Sequence, residues 1–484
     1  MSRVSENRIG FKDKIGYAFG DVGSSLIFGL GSTFSMVYYT DVLGLPTAAL
    51  SIMFLVLKIV DGAIDPFLGM FFDSRRPTKS GKFKKYLVIF AVPVALSAVL
   101  MFFPFSYFGI NLSGKQAITF ASVAYLLYVV TYSSVNVPYG SLASVITDDQ
   151  KGRTSLSTFR SLGSGLGGLP SALILPMLVY SSVKSVDKVT GESITVQVIK
   201  PDMLFWCVIA MSVACVVFLF LSYKMTTERI RLDETQEKTD IAKTLKSLIK
   251  SKPFISISLA SLVLIMYQTF NVSFLQYLGK DYFGNKAFIT LSSLCFYAPF
   301  VLLLPFLSKL IERYGKKEVC SAGLFIAAFA HLLLFILQTK NHILYLALLF
   351  VAGTGATIII LQVWALVADV IDYQELIRGK REEATTFSIY FFIRTFGNAL
   401  SLFFANRFLG LVGYQEAVNG ISQIQTEATV KGIYNIAALF PAACCLIMAL
   451  LLAFLYPLNK KEANSLKEKL KVSRIERGIT VSET

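Results

Sequence analysis

The sequence predicts an all-α integral membrane protein of twelve transmembrane helices in two six-helix halves, and three observations predict it. The 484 residues are 54% hydrophobic and only 16% charged, against roughly 25% charged in soluble domains. Apolar stretches close to the about 20 residues that a bilayer crossing needs recur twelve times between Ile15 and Tyr456. Short motifs in the loops of the first half return at matching places in the second. A soluble enzyme is excluded by the first two observations alone.

The spans lie near residues 15–39, 48–72, 83–105, 116–146, 158–180 and 203–223, then 254–278, 288–307, 319–338, 343–371, 384–406 and 432–456. They divide the chain into an N-terminal segment (1–14), a first half (15–223), a central loop (224–252), a second half (253–456) and a tail (457–484). The polar start and the long first span, with no small-residue cleavage site, predict an anchor and not a cleaved signal peptide.

Net charge is +15, and its placement decides its meaning. Of the 46 Lys and Arg, 35 fall in the segments on the side of the N-terminus, counting Lys84, Lys85 and Arg160 at the adjoining span ends, and nine in the alternate loops; Lys58 and Arg394 lie deeper inside spans. Such asymmetry predicts both termini in the cytoplasm, in a plasma (inner) membrane. The basic excess is topological, so the partner is the lipid bilayer and no nucleic acid is called for. All six cysteines sit in or at the edge of spans without CxxC or metal-ligand spacing. His331 and His342 have no companions that suggest a metal or a triad.

The halves echo each other. Gly69 to Asp73, Arg75 and Lys82 after span 2 correspond to Glu312, Arg313, Gly315 and Lys316 after span 8. Ala143 to Asp148 corresponds to Ala368 to Asp372, and each is followed by an Arg-x-x-Gly, Arg160 to Gly163 and Arg394 to Gly397. Parallel six-helix repeats with these loops are the arrangement of the major facilitator fold, in which substrate binds near the membrane midplane.

Polar residues inside spans are the candidates for function. Lys58, Asp61 and Asp65 at i, i+3 and i+7 share one helix face; each ionised group costs about 2.5 to 3.5 kcal/mol near the bilayer centre. The face therefore lines water or an ion site. Asp61 and Asp65 can hold one cation between them, sodium included, or share a proton; a purely structural Lys58–Asp61 pair is the alternative. Span 4 carries Tyr125, Tyr128, Tyr132, Asn136 and Tyr139 on one stripe, with Ser133 and Ser134 beside it. Aromatic faces with polar tips suit a sugar, although packing tyrosines give the same pattern. Span 11 repeats the idea with Tyr390, Arg394 and Asn398; the arginine pairs with a carboxylate or contacts substrate hydroxyls. Span 10 adds Gln362, Trp364 and Asp369, span 1 adds Tyr17, Asp21, Ser24 and Ser25, and Arg160 is either a cavity residue or an inner-end cation.

Together these segments resemble the glycoside-pentoside-hexuronide:cation symporter family. The matching runs are Tyr17-x-Phe19-Gly20-Asp21, Tyr39-Thr40-Asp41-Val42-x-Gly44-Leu45, Asp61-Gly62-Ala63-Ile64-Asp65-Pro66, Gly81-Lys82-Phe83-Lys84, Asn136-Val137-Pro138-Tyr139-Gly140-Ser141-Leu142 and Ala368 to Glu375 with Arg381 and Glu383. The resemblance implies a carrier, not an enzyme, with no cofactor. Its cargo is a sugar or glycoside moved with a proton, sodium or lithium. It places the cation at Asp61, Asp65 and Ser133, and the sugar at Tyr132, Asn136, Arg160 and the span 11 segment. The chain departs from the melibiose-type carriers at Ser24-Ser25 (Lys-Asp there), Ile64 (Asn), Asn136 (Asp), Gly140 (Trp) and Thr395 (Lys). The lost sugar-facing carboxylates argue against melibiose, and the lost Asn removes a sodium ligand, which favours protons. A lipid or drug carrier on the same fold is the nearer alternative, a polytopic membrane enzyme the more distant one.

Overall fold

The computed structural model describes residues 9–73, 75, 78, 81–110, 112, 114–147, 150–186, 193–229, 248–378, 383–417 and 423–476. Of the residues singled out above, Asp148 and Arg381 lie outside the described residues, as do Ser74, Arg76 and 241–246 in the basic loops.

Twelve long helical segments follow the twelve apolar stretches. They are α1 (Phe11–Asp41), α2 (Thr47–Asp73), α3 (Lys84–Met101, broken at Phe90), α4 (Gly114–Ile146), α5 (Gln150–Leu169, continuing through a π turn into Leu175–Val179) and α6 (Pro201–Met225). There follow α7 (Lys252–Tyr277), α8 (Lys286–Tyr314), α9 (Lys316–Leu337), α10 (His342–Arg378), α11 (Glu383–Leu411) and α12 (Glu427–Leu450). A last helix, α13 (Lys460–Glu476), occupies the tail. Among the described residues ten of these are long and apolar enough to cross a membrane. The two not among them are α1 and α11, which carry Asp21 and Arg394.

Turns are set by local chemistry. Pro201 opens α6 where its missing N–H is not needed. Gly315 ends the α8 to α9 turn at φ +105°, a conformation that a side chain would strain. Pro138 inside α4 removes the N–H that would bond the Ser134 carbonyl, freeing that oxygen from the helical ladder beside the polar stripe.

The chain forms two compact units. The first takes the described residues through α6 together with 272–290 and 402–430; the second takes 248–271, 291–401 and 431–476. In the first, Tyr17, Tyr38, Tyr39 and Tyr139 are buried. In the second, Leu264, Tyr267, Leu324, Ile359, Val363 and Met448 build the core.

Each unit contains the same close helix contact, and the Arg-x-x-Gly motif explains it. A Cβ on Gly163 of α5 would strike the carbonyl of Ala18 on α1; a Cβ on Gly397 of α11 would strike the carbonyl of Leu262 on α7. One turn on, Gly167 lies against the Val22 carbonyl, and Ser401 donates to the Met266 carbonyl at 3.1 Å. Small residues let backbones approach in this way where lipid offers no hydrophobic drive for helix association. The two repeats are therefore in register, Ala18 with Leu262 and Val22 with Met266.

One element is not a helix. The loop between spans 5 and 6 forms a hairpin of β1 (Tyr180–Val186) and β2 (Ser193–Ile199), paired antiparallel with Tyr180 opposite Ile199. Its alternation of Ser, Thr and Gln with Val and Ile is a strand pattern. Within the first unit it is fixed by Gln197, whose amide donates to Ser182 Oγ at 2.7 Å and to the Gly284 carbonyl at 2.9 Å, and by Tyr180, which donates to Gln276 at 3.2 Å.

Candidate functional site

The span 2 trio and the span 4 hydroxyl come together in the first unit. Lys58 Nζ donates to Asp61 Oδ2 at 2.9 Å, and Ser133 Oγ donates to Asp61 Oδ1 at 3.3 Å. The ammonium also lies 5.8 Å from the centre of the Tyr125 ring. Asp65 is half-buried, within electrostatic reach of Asp61, Lys58 and Ser133, but its Oδ1 is buried with no hydrogen-bond partner. The salt bridge read as an alternative to a cation site is thus present, and Asp65 stands outside it. Charge bookkeeping follows: Lys58 neutralises Asp61, so the trio carries one uncompensated negative charge, on Asp65. A buried carboxylate oxygen without a donor costs several kcal/mol while ionised, and binding one monovalent cation removes that cost.

A second charged pair joins α1 to α5 in the same unit. Arg160 Nε lies 3.6 Å from Asp21 Oδ1, and the guanidinium is 5.2 Å from the centre of the Tyr139 ring. Tyr139 stacks on Tyr17 at 4.7 Å and donates to its carbonyl. Asp21 is buried while 39% of the Arg160 side chain stays exposed, so one face of the guanidinium remains available. Ser25 bonds Ser164 at 3.1 Å next to this pair.

Tyr132 connects the two clusters, its phenol lying within electrostatic reach of Asp21 and Arg160 on one side and of Lys58 and Asp61 on the other. Its ring packs on Phe28 at 5.8 Å and on Tyr128 at 6.0 Å. The rest of the span 4 stripe divides. Tyr125, Tyr128 and Tyr139 are buried packing residues, Tyr128 reaching the Ile27 carbonyl at 3.4 Å. Asn136 is half-buried and forms no side-chain hydrogen bond among the described residues, and at Gly140, one turn on, a Cβ would meet nothing within 4 Å. That stretch of α4 is open.

In the second unit Trp364, Tyr390 and Arg394 form one platform. The Arg394 guanidinium stands 4.8 Å from the centre of the Trp364 ring and donates to Tyr390 Oη at 3.3 Å. Tyr390, fully buried, is fixed by Ser261 at 2.7 Å. Of the two readings for Arg394, a carboxylate partner or substrate hydroxyls, the first has no support among the described residues: it has no ion pair there, and the aromatic faces hold it, at about 0.5 to 2 kcal/mol. Gln362 and Asn398 are half-buried and, among the described residues, have no side-chain hydrogen bonds. Asp369 does not belong to this group. It binds Lys316 at 2.8 Å through both oxygens, tying α10 to the start of α9.

Two polar clusters escaped the sequence reading. Asp41 at the end of α1 pairs with Lys280 in the π turn after α7, with Asp281, Tyr277, Tyr414 and Thr40 around them. The Tyr-Thr-Asp run pointed to Asp41 but not to its partner. Glu228, after α6, accepts the backbone N–H groups of Lys82, Phe83 and Lys84 at 2.6, 2.9 and 2.7 Å. Beside it Arg229 pairs with Asp13 at 2.7 Å.

Comparison with known proteins places these features in context. Residues 16–460 match the family described as MFS/sugar transport protein. The chain is 31% identical to the Uncharacterized symporter YjmB of Bacillus subtilis over 96% of its own length and 95% of the relative's. It is 28% identical to the Glucuronide carrier protein homolog of Escherichia coli over 94% of each chain. Among solved structures, a D-xylose-proton symporter superposes with a TM-score of 0.57 at 14% identity, covering 92% of this chain and 96% of that one, which establishes the fold. With relatives that are carriers, the membrane-enzyme alternative falls away.

Proposed function

The chain belongs to the MFS/sugar transport protein family, and from that premise we propose that it is a symporter moving a sugar or glycoside together with one monovalent cation by alternating access. Similarity to a glucuronide carrier homolog supports the sugar. The two six-helix halves, 15–223 and 253–456, are the repeats that alternate, and the loop charges support cytoplasmic termini in the plasma (inner) membrane. Asp21, Ser25, Tyr132, Asn136 and Arg160 in the first unit, and Trp364, Tyr390 and Arg394 in the second, are the sugar contacts. Tyr128 holds Tyr132 in place.

The observation that carries the cation reading is Asp65, a buried carboxylate oxygen without a donor beside a Lys58–Asp61 pair that is already neutral. One spare charge takes one cation, and a proton needs no coordination shell. Proton binding at Asp65 changes the field at Asp61 and hence at Tyr132, which also feels Asp21 and Arg160. Cation and sugar affinities are then linked, each raising the other by the same factor.

The test is uptake of labelled sugars into proteoliposomes, first under a pH gradient without sodium, then under a sodium gradient with pH clamped. Uptake confined to the second condition rejects the proton. Absence of counterflow for every sugar tried, with counterflow of a lipid or drug, rejects the cargo class.

A further inference from the structure

We propose that the cargo is an acidic sugar, one bearing an oxyanion, and that Arg394 is the residue that binds that anion. The proposal rests on the sugar-symport reading and narrows it.

The argument is one of register. In both repeats the Arg-x-x-Gly glycine touches the first helix of its half, at the Ala18 carbonyl in one and the Leu262 carbonyl in the other, and the next turn repeats the match at Val22 and Met266. Arg160 and Arg394, each three residues before that glycine, hold equivalent places. In the first repeat the guanidinium meets Asp21, three residues after Ala18. Three residues after Leu262 stands Ile265. The second repeat keeps the arginine and replaces its carboxylate by a hydrocarbon.

An arginine inside an apolar span without a counter-charge is costly. Aromatic faces at Trp364 and Tyr390 offset part of this and orient the planar fork. Among the described residues only one of its donors is used, on Tyr390. Arg394 is therefore a fixed cation whose remaining donors suit a bidentate oxyanion. Half-buried Gln362 and Asn398, which form no side-chain hydrogen bonds among the described residues, supply donors and acceptors for hydroxyls on the same cargo. A neutral sugar would leave the charge uncompensated; a carboxylate or sulfonate on the sugar completes it.

The experiment measures binding of glucose, galactose, glucuronate, galacturonate and a 6-sulfonated glucose to the purified full chain at matched ionic strength, with uptake by proteoliposomes alongside. The acids are expected to bind at least tenfold more tightly than their neutral parents, and the carboxylate and sulfonate arms identify which oxyanion is preferred. Arg394→Gln is expected to bring acid and neutral sugar within twofold at an unchanged melting temperature, and Arg394→Lys to retain part of the preference. Ile265→Asp, which rebuilds the counter-charge of the first repeat, is expected to abolish the preference too. Neutral sugars bound as well as acids, or an acid preference that survives Arg394→Gln, overturns the proposal and leaves sugar symport standing. Neither binding nor uptake of any sugar overturns both.

Discussion

Lys280 and Asp41 are ion-paired with only 2% of either side chain exposed. Tyr414 is bonded to both, donating to Asp41 at 2.7 Å and accepting from Lys280 at 2.6 Å, while Asp281 sits 3.4 Å from the same ammonium. Two carboxylates thus depend on one cation in a dry cluster. Removing one partner of a buried pair strands the other, which costs about 3 to 5 kcal/mol.

Lys280→Met should accordingly lower the thermal unfolding temperature of the purified protein by several degrees. Asp41→Asn placed on top of it should recover only part of the loss, because one of the two stranded charges is gone while Asp281 remains without its cation. A single mutant as stable as the parent would show that water reaches the cluster.

Asp65→Asn should abolish cation-driven accumulation while sugar exchange at equal concentrations continues, since the amide cannot take up and release a cation. Asp61→Asn should do more damage, for it also leaves Lys58 without its counter-charge. Uphill uptake by the Asp65 variant at the normal rate would remove that residue from the coupling site.

For Tyr132, replacement by Ala should weaken sugar binding at least tenfold, about 1.4 kcal/mol. Replacement by Phe should keep the ring contacts with Phe28 and Tyr128 but reduce the effect of the cation on sugar affinity. The readout is the ratio of sugar affinities with and without the cation; an unchanged ratio in the Phe variant would leave the phenol with no part in linkage.

An acidic sugar moved with a single cation carries no net charge. A membrane potential of 100 mV acts with about 2.3 kcal/mol on each translocated charge, close to fifty-fold accumulation at 1.4 kcal/mol per decade. Here a potassium diffusion potential imposed without a gradient of the coupled cation should drive no uptake, whereas the cation gradient alone should. Potential-driven accumulation of an acid would require a second cation.

Much of the fold was legible because crossing lipid imposes a length and a composition that a window of sequence reveals, and among the described residues ten of the twelve helices meet it. Lys58, Asp61 and Asp65 were legible for the same reason: a charge among apolar neighbours is conspicuous, and spacings of three and four fix a helix face. Lys280 was not. It stands at a span end, where loop cations are ordinary, and its partner lies 239 residues away. The hairpin was hidden because seven-residue strands are short beside the spans that flank them. The sequence reading left open whether Arg394 pairs with a carboxylate. Deciding that needs the register of α11 on α7, which comes from two small-residue contacts and not from any local pattern.

The loop between α2 and α3 is secured by Glu228, 144 to 146 positions downstream, and this has a consequence for how the chain is made. At about 5 to 20 residues per second, roughly 7 to 30 seconds of translation separate the emergence of Lys82 to Lys84 from that of the carboxylate they need. Throughout that interval four more helices are threaded into the bilayer past a loop whose three amides have only water for company. Glu228 is thus the last-made part of this contact, reached after the sixth helix and just before the second half.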